Sequence, residues 1–111
     1  MRLHPKEVEG IIDALSPFIG ANHAELRLYG SRVRDDTKGG DIDLLLLTDS
    51  AHLRDQLLAQ KHYLLASIKN RVGDQKIDLL IADLTSSNDC SFLNMVLPGS
   101  ICLKTWKYPA L

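Results

Sequence analysis

Hydrophobic positions recur along this chain with two different periods, and the switches between them mark its elements. Behind Pro5, the residues Val8, Ile11, Ile12 and Leu15 are spaced for one face of a helix. Pro5 suits its first turn, Gly10 weakens it, and Ser16-Pro17 is expected to kink or end it. Gly20-Ala21-Asn22-His23 reads as a loop. The period then becomes two: Leu26 and Leu28 alternate with Glu25, Arg27 and Tyr29, as in a half-buried strand. A turn at Lys38-Gly39-Gly40 leads into Ile42-Asp43-Leu44-Leu45-Leu46-Leu47. Beyond Asp43 that segment is apolar on both faces, which predicts a central strand covered on both sides.

Ser50 suits the N-cap of a long helix reaching about Val72, with Gly73 as its C-cap. Leu53, Leu57, Leu58, Leu64, Leu65, Ile68 and Val72 line one face. Arg54, Asp55, Gln60, Lys61, Lys69 and Asn70 line the other. Lys76-Ile77-Asp78-Leu79-Leu80-Ile81-Ala82 reads as a third strand with one carboxylate set in apolar sequence. A short helix over 86–96, stopped by Pro98-Gly99, and an edge strand at Ile101-Cys102-Leu103 complete the pattern. The order αββαβα with a final β predicts an α/β (α+β) fold, a small mixed sheet with helices packed on it.

The length of 111 residues fits one domain over 1–111, with a core at about 5–103 and a tail at 104–111. A formal charge of −1 argues against a long nucleic-acid surface, which carries a basic excess. The N-terminus lacks the apolar stretch of a signal peptide, and no run approaches the roughly 20 residues needed to span a bilayer. The chain is therefore expected to be soluble and cytoplasmic. Cys90 and Cys102 have no metal spacing and are expected to be reduced and structural. The four histidines, His4, His23, His52 and His62, are expected at the surface or in helix packing.

Chemistry concentrates between Gly30 and Leu44. The Gly30-Ser31 corner is short enough for backbone N–H groups to approach a phosphate closely. Asp41 and Asp43 stand one residue apart at the head of the Leu-rich strand, so they point to one face with Cα atoms roughly 6.5 Å apart. Carboxylates held that close repel unless a proton or cation lies between them, and magnesium is the usual occupant of an all-oxygen site. Aspartates beside Gly-Gly also serve in plain turns. Asp78 shifts the balance, because an aspartate within an Ile/Leu strand costs several kcal/mol unless something pairs with it. One partner is Lys76; the alternative is a strand placed beside the Asp41/Asp43 strand, with all three carboxylates on one cation site. Three carboxylates around two ions suit in-line displacement at phosphorus. No Gly-Lys-Ser/Thr follows the glycines, which excludes a P-loop, and the loop lacks the ligands of an EF-hand.

Gly30-Ser31, a spacer of nine residues, Asp41-Ile42-Asp43 on a strand and a lone Asp78 on a later strand resemble the polymerase-β nucleotidyltransferase superfamily. More narrowly, the chain is similar to its minimal nucleotidyltransferases over about Leu26 to Leu103. Many of these read Arg-Ala-Arg-Gly after Gly-Ser and carry a serine before the Asp-x-Asp pair. Here those places hold Arg32-Val33-Arg34-Asp35 and Gly40, and the spacer is a residue shorter than the resemblance leads one to expect. The resemblance implies that Gly30 and Ser31 hold the triphosphate, that Asp41 and Asp43 bind metal, and that Asp78 shares the metal and orients or deprotonates the attacking hydroxyl. Arg32 and Arg34 would add charge-assisted contacts to phosphate, or balance Asp35 and Asp36. It further implies two Mg2+ ions during catalysis, ATP as substrate and transfer of AMP to a hydroxyl. The acceptor would lie on a partner protein, a small helical HEPN-type toxin, or on a second copy of this chain. The competing class is a subunit of the same fold that binds and occludes its partner without catalysis. Trp106 and Tyr108 in the tail suit either a partner interface or packing back onto the domain.

Overall fold

The computed structural model describes residues 3–30, 42–73, 75–85 and 90–107. Helix α1 (Pro5–Ile19) is followed by strands β1 (Ala24–Tyr29) and β2 (Ile42–Thr48). Helices α2 (Ala51–Ala59) and α3 (Lys61–Val72) lead to β3 (Ile77–Asp83). Helix α4 (Cys90–Val96), a 3-10 turn (Leu97–Gly99) and β4 (Ile101–Trp106) close the chain. The strands form one mixed sheet in the order β3-β2-β1-β4. β1 is antiparallel to both β2 and β4, and β2 is parallel to β3. The fold class, the mixed sheet and the central place of the Leu-rich strand all follow the sequence reading. No described helix is long and apolar enough to cross a membrane.

Strand alternation divides the sheet into two unlike faces. Ala24, Leu26, Leu28, Ile42, Leu44, Leu46, Ile77 and Leu79 all point to the face beneath the helices, where Ile11, Leu15, Leu53, Leu57, Leu64 and Ile68 complete the main core. The opposite face carries a smaller cluster of Leu45, Leu47, Ala82 and Leu93, with Tyr29, Leu80, Val96 and Leu97 packed around it. β2 is thus buried on both faces from Leu44 onward, as its uninterrupted leucines require.

Helix α1 is capped by His4, whose Nδ1 accepts from the Lys6 N–H at 3.1 Å while its own N–H donates to Glu7 Oε1 at 3.1 Å. Pro17 does not end this helix. It is exposed, as is Asp13 four residues earlier, and the helix runs on to bury Ile19. Gly10 has a positive role as well, because a Cβ there would lie 3.3 Å from both Arg71 Cβ and Val72 Cγ1. Its absence lets α1 close on α3, and Gln75 Nε2 donating to Glu7 Oε2 at 2.6 Å ties the same corner.

The long helix expected from Ser50 to Val72 is two helices, broken at Gln60 (φ −107°, ψ 13°). A straight helix with Leu57 and Leu64 on its core face would place Gln60 and Lys61 between them, against apolar neighbours. The break keeps Gln60 exposed and lets α2 lie over β2 and β3 while α3 turns onto α1. The edge strand likewise runs past Leu103 through Trp106, inside the stretch taken as a tail. Trp106 packs on the main core and its indole N–H donates to Ser16 Oγ at 3.1 Å, so this aromatic folds back onto its own sheet. Tyr108 lies outside the described residues. Cys102 is exposed on β4 rather than buried, because the edge strand's outer face is open.

The buried carboxylate of β3 is Asp83, not Asp78. Asp83 is fully buried at the strand's end, where Arg54 Nη1 donates to Oδ2 at 2.7 Å and the Thr85 N–H donates to Oδ1 at 2.6 Å. The Thr85 hydroxyl donates to the same oxygen. Removing the guanidinium would leave a buried charge, so Arg54→Ala is expected to lower the unfolding free energy by about 3–5 kcal/mol in urea denaturation. Asp55→Ala, which removes Arg54's exposed partner, is expected to change it by no more than about 1 kcal/mol.

Candidate active site

Two of the three sequence-predicted carboxylates are brought together at the heads of β2 and β3. The Ile42 N–H donates to the Lys76 carbonyl at 3.0 Å, which starts the parallel ladder just before them. Asp43 and Asp78 are then direct register partners. Side chains in register on neighbouring strands share a face, with backbones about 4.8 Å apart. That face is the one opposite the helical layer, and α4 covers it only around Leu45, Leu47 and Ala82. Asp43 is half-buried and Asp78 is exposed. The burial argument made for Asp78 from its apolar neighbours therefore does not hold, because its side chain is exposed.

Gly30 completes the corner. Its φ is +76°, and a Cβ built on it would stand 2.2 Å from Asp43 Oδ2. The Asp43 carboxylate occupies space that any side chain at position 30 would fill. Gly30 serves this corner in two ways, through a left-handed backbone and through a cradle for one oxygen of the pair. Ser31, Arg32, Arg34 and Asp41, the other residues expected here, lie outside the described residues. Among those described, no three His, Cys, Asp or Glu side chains form a group that would hold a metal.

Tyr29, read from sequence only as an alternating strand residue, stands directly opposite Asp43 on the antiparallel side. Partial burial and the negative charges of Asp78 and Asp43 push its phenol from an ordinary 10.0 up to about 12. Hairpin register would have revealed it, since a strand ending at Gly30 must pair its last residue with the head of the next. Two residues earlier on the same face, the Arg27 guanidinium is held by Ser100 Oγ at 2.6 Å and Glu25 Oε1 at 3.2 Å, tying β1 to the turn before β4.

A cavity of about 120 Å³ lined by His23, Ala24, Glu25, Leu47, Thr48, Asp49, Leu84 and Thr105 lies at the other end of the sheet. It is roughly 17 Å along β2 from Asp43 and forms no part of this site.

The donor set suits a hard divalent cation: acidic oxygens on a rigid sheet edge, open to solvent on one side and backed by a glycine cradle on the other. The chain matches the nucleotidyltransferase domain over residues 6–95, most of its length, and it belongs to that family. The match begins in α1, well before the Leu26 expected from the motif residues, consistent with the tight seat of α1 on α3. No curated protein matches the chain. Family membership supports nucleotidyl transfer as its general activity.

Gly30→Ala is expected to lose at least about 1–2 kcal/mol of stability from the left-handed backbone alone and to displace the Asp43 carboxylate. The displacement is checked by the change in the Asp43 side-chain carbon shift in NMR. The Tyr29 phenol favours its neutral form in the fold, so native stability is unaffected below pH 10 and falls as pH rises from there through about 12. Titration of the Tyr29 Cζ resonance is expected to show this, and Asp78→Asn to move its midpoint down while burial keeps it above an ordinary phenol.

Proposed function

We propose that this chain transfers AMP from ATP to a hydroxyl on a partner protein, acting as the antitoxin of a pair whose toxin is a small helical HEPN-type protein. The observation that carries the catalytic reading is the in-register Asp43–Asp78 pair beside Gly30 in a chain of the nucleotidyltransferase family. The pairing of partners follows the resemblance to minimal nucleotidyltransferases. A formal charge of −1 supports a protein acceptor over a long polynucleotide, which would call for a basic surface.

In this reading the backbone at Gly30 and the Ser31 hydroxyl grip the terminal phosphates, and Arg32 and Arg34 add charge-assisted contacts. Two magnesium ions, held by Asp41, Asp43 and Asp78, would supply positive charge against the triphosphate and lower the pKa of the acceptor hydroxyl. Asp78, the more exposed of the described pair, faces the incoming acceptor and takes its proton. The acceptor oxygen bonds to the α-phosphorus as the bond to the bridging oxygen breaks, and pyrophosphate leaves with its electron pair. Asp43 stays on the strand head of β2 throughout, so its backbone needs no change during the step.

Purified chain, magnesium and α-phosphate-labelled ATP, with the product of the adjacent gene, are expected to place label on that partner. Asp43→Asn or Asp78→Asn is expected to slow labelling on the order of 100-fold or more, and Asp41→Ala with Asp43→Ala to abolish it. A stable complex that neutralises the partner with no label from any of the four nucleoside triphosphates overturns the enzymatic reading in favour of an occluding subunit.

A further inference from the structure

The cavity at the far end of the sheet lies on the same face as the carboxylate pair. Glu25 is four residues from Tyr29 on β1, and Leu47 is four from Asp43 on β2, so alternation turns all four to that face. Leu47 and Leu84 supply apolar lining, and Glu25, Asp49 and His23 supply polar lining. Glu25 pairs with Leu47, which stands two residues before Asp49. The two carboxylates are therefore diagonal neighbours on adjacent strands, with Cα atoms about 7–8 Å apart. His23 Nδ1 lies 3.6 Å from Asp49 Oδ2, and Arg27 Nη1 donates to Glu25 Oε1 at 3.2 Å. An ionised carboxylate accepts several hydrogen bonds, so neither contact exhausts it.

At about 120 Å³ the cavity is well below the roughly 300–1,000 Å³ of small-molecule pockets, and it suits the end of one long side chain. Two carboxylates repel an anion, and a purely apolar group would take them out of water without a partner. A long basic side chain matches both parts of the lining, with its stem on the leucines and its charge at the acidic oxygens. Arginine fits better than lysine, because its planar fork serves two carboxylates at once and is more weakly hydrated. We propose that this cavity receives an arginine side chain of the acceptor protein and holds that protein while its hydroxyl reaches the Asp43–Asp78 pair. That the arginine belongs to the acceptor rests on the reading of the chain as a protein nucleotidyltransferase. The two places are roughly 17 Å apart along β2, and a standard interface of about 800 Å² a side is about 30 Å across. Between them α4 covers Leu45 and Leu47. Of the four large apolar side chains exposed among the described residues, Met95 stands on α4 and Leu84 edges the cavity. A partner spanning the two places covers both.

The probe for the cavity is N-acetylarginine amide, followed through the methyl resonances of Leu47 and Leu84 in the full chain. Both are expected to move and to saturate with a Kd of about 1 mM, the range for a ligand of this size. Asp49→Asn and Glu25→Gln are each expected to weaken the probe about two- to fivefold, and N-acetylnorleucine amide to bind about tenfold more weakly. Methyls unmoved at tens of millimolar, norleucine binding as tightly as arginine, or full affinity in both variants overturns the proposal. In the labelling assay, Asp49→Lys is expected to raise KM for the partner protein about tenfold or more, with kcat and KM for ATP within about twofold. A wild-type KM for the partner in that variant overturns the assignment of the arginine to the acceptor. If the wild-type chain labels no partner and the probe still binds, the transfer reading falls, and with it the acceptor as the source of the arginine, while the cavity site stands. If the partner is labelled and the probe moves neither methyl, the cavity site alone falls.

Discussion

The parallel pairing of β2 with β3 is the constraint on which the strand-head arrangement depends. The ladder is held at both ends, by the Ile42 N–H on the Lys76 carbonyl at 3.0 Å and by the Leu84 N–H on the Thr48 carbonyl at 2.9 Å. Side chains alternate, so a slip of one residue would turn every leucine of the helical face outward. The same burial that forbids the slip fixes Asp43 beside Asp78. Core packing thus sets the geometry of the site without either carboxylate contributing to the core.

The two aspartates of β3 show how differently one residue type can be used along a single strand. Asp83 sits where the sheet is covered, and a carboxylate in that position is tolerable only because Arg54 and Thr85 surround it. Asp78 sits where the sheet is open. Water on that side screens its repulsion with Asp43 to far below the cost in a dry interior. Solvent on the Asp78 side is thus what lets two negative charges share one row.

Much of this was legible in the chain. The alternation in β1, the unbroken leucines of β2 and the length of β3 led directly to the mixed sheet and its central strand, because burial on one or two faces leaves an unambiguous period. Gly30, Asp43 and Asp78 were singled out by their spacing, and the fold sets them side by side. Where the reading failed, the deciding contact was tertiary. Gln60 and Lys61 break a helix because of what α2 and α3 each lie upon, and Trp106 joins the sheet because Ser16 is within reach of its indole. The apolar neighbours of Asp78 in sequence alternate faces, so they say nothing of how far α4 extends over the open one. Sequence could flag a carboxylate in a hydrophobic strand but could not distinguish Asp78, which water reaches, from Asp83, which it does not.

Tyr29 illustrates the same limit from the other side. A tyrosine alternating with leucines satisfies the period-two pattern whichever partner it meets, and its hydroxyl acquires meaning only from the strand opposite. Once the hairpin register is known, the row reads donor, acceptor, acceptor across β1, β2 and β3. Tyr29 and the two aspartates thus share one row, and burial with the two carboxylate charges pushes the phenol up to about 12. Replacing Tyr29 with a third carboxylate would add repulsion. Replacing it with a lysine would set a fixed positive charge against the pair. The strand opposite, and not the period of β1, decides what surrounds that hydroxyl.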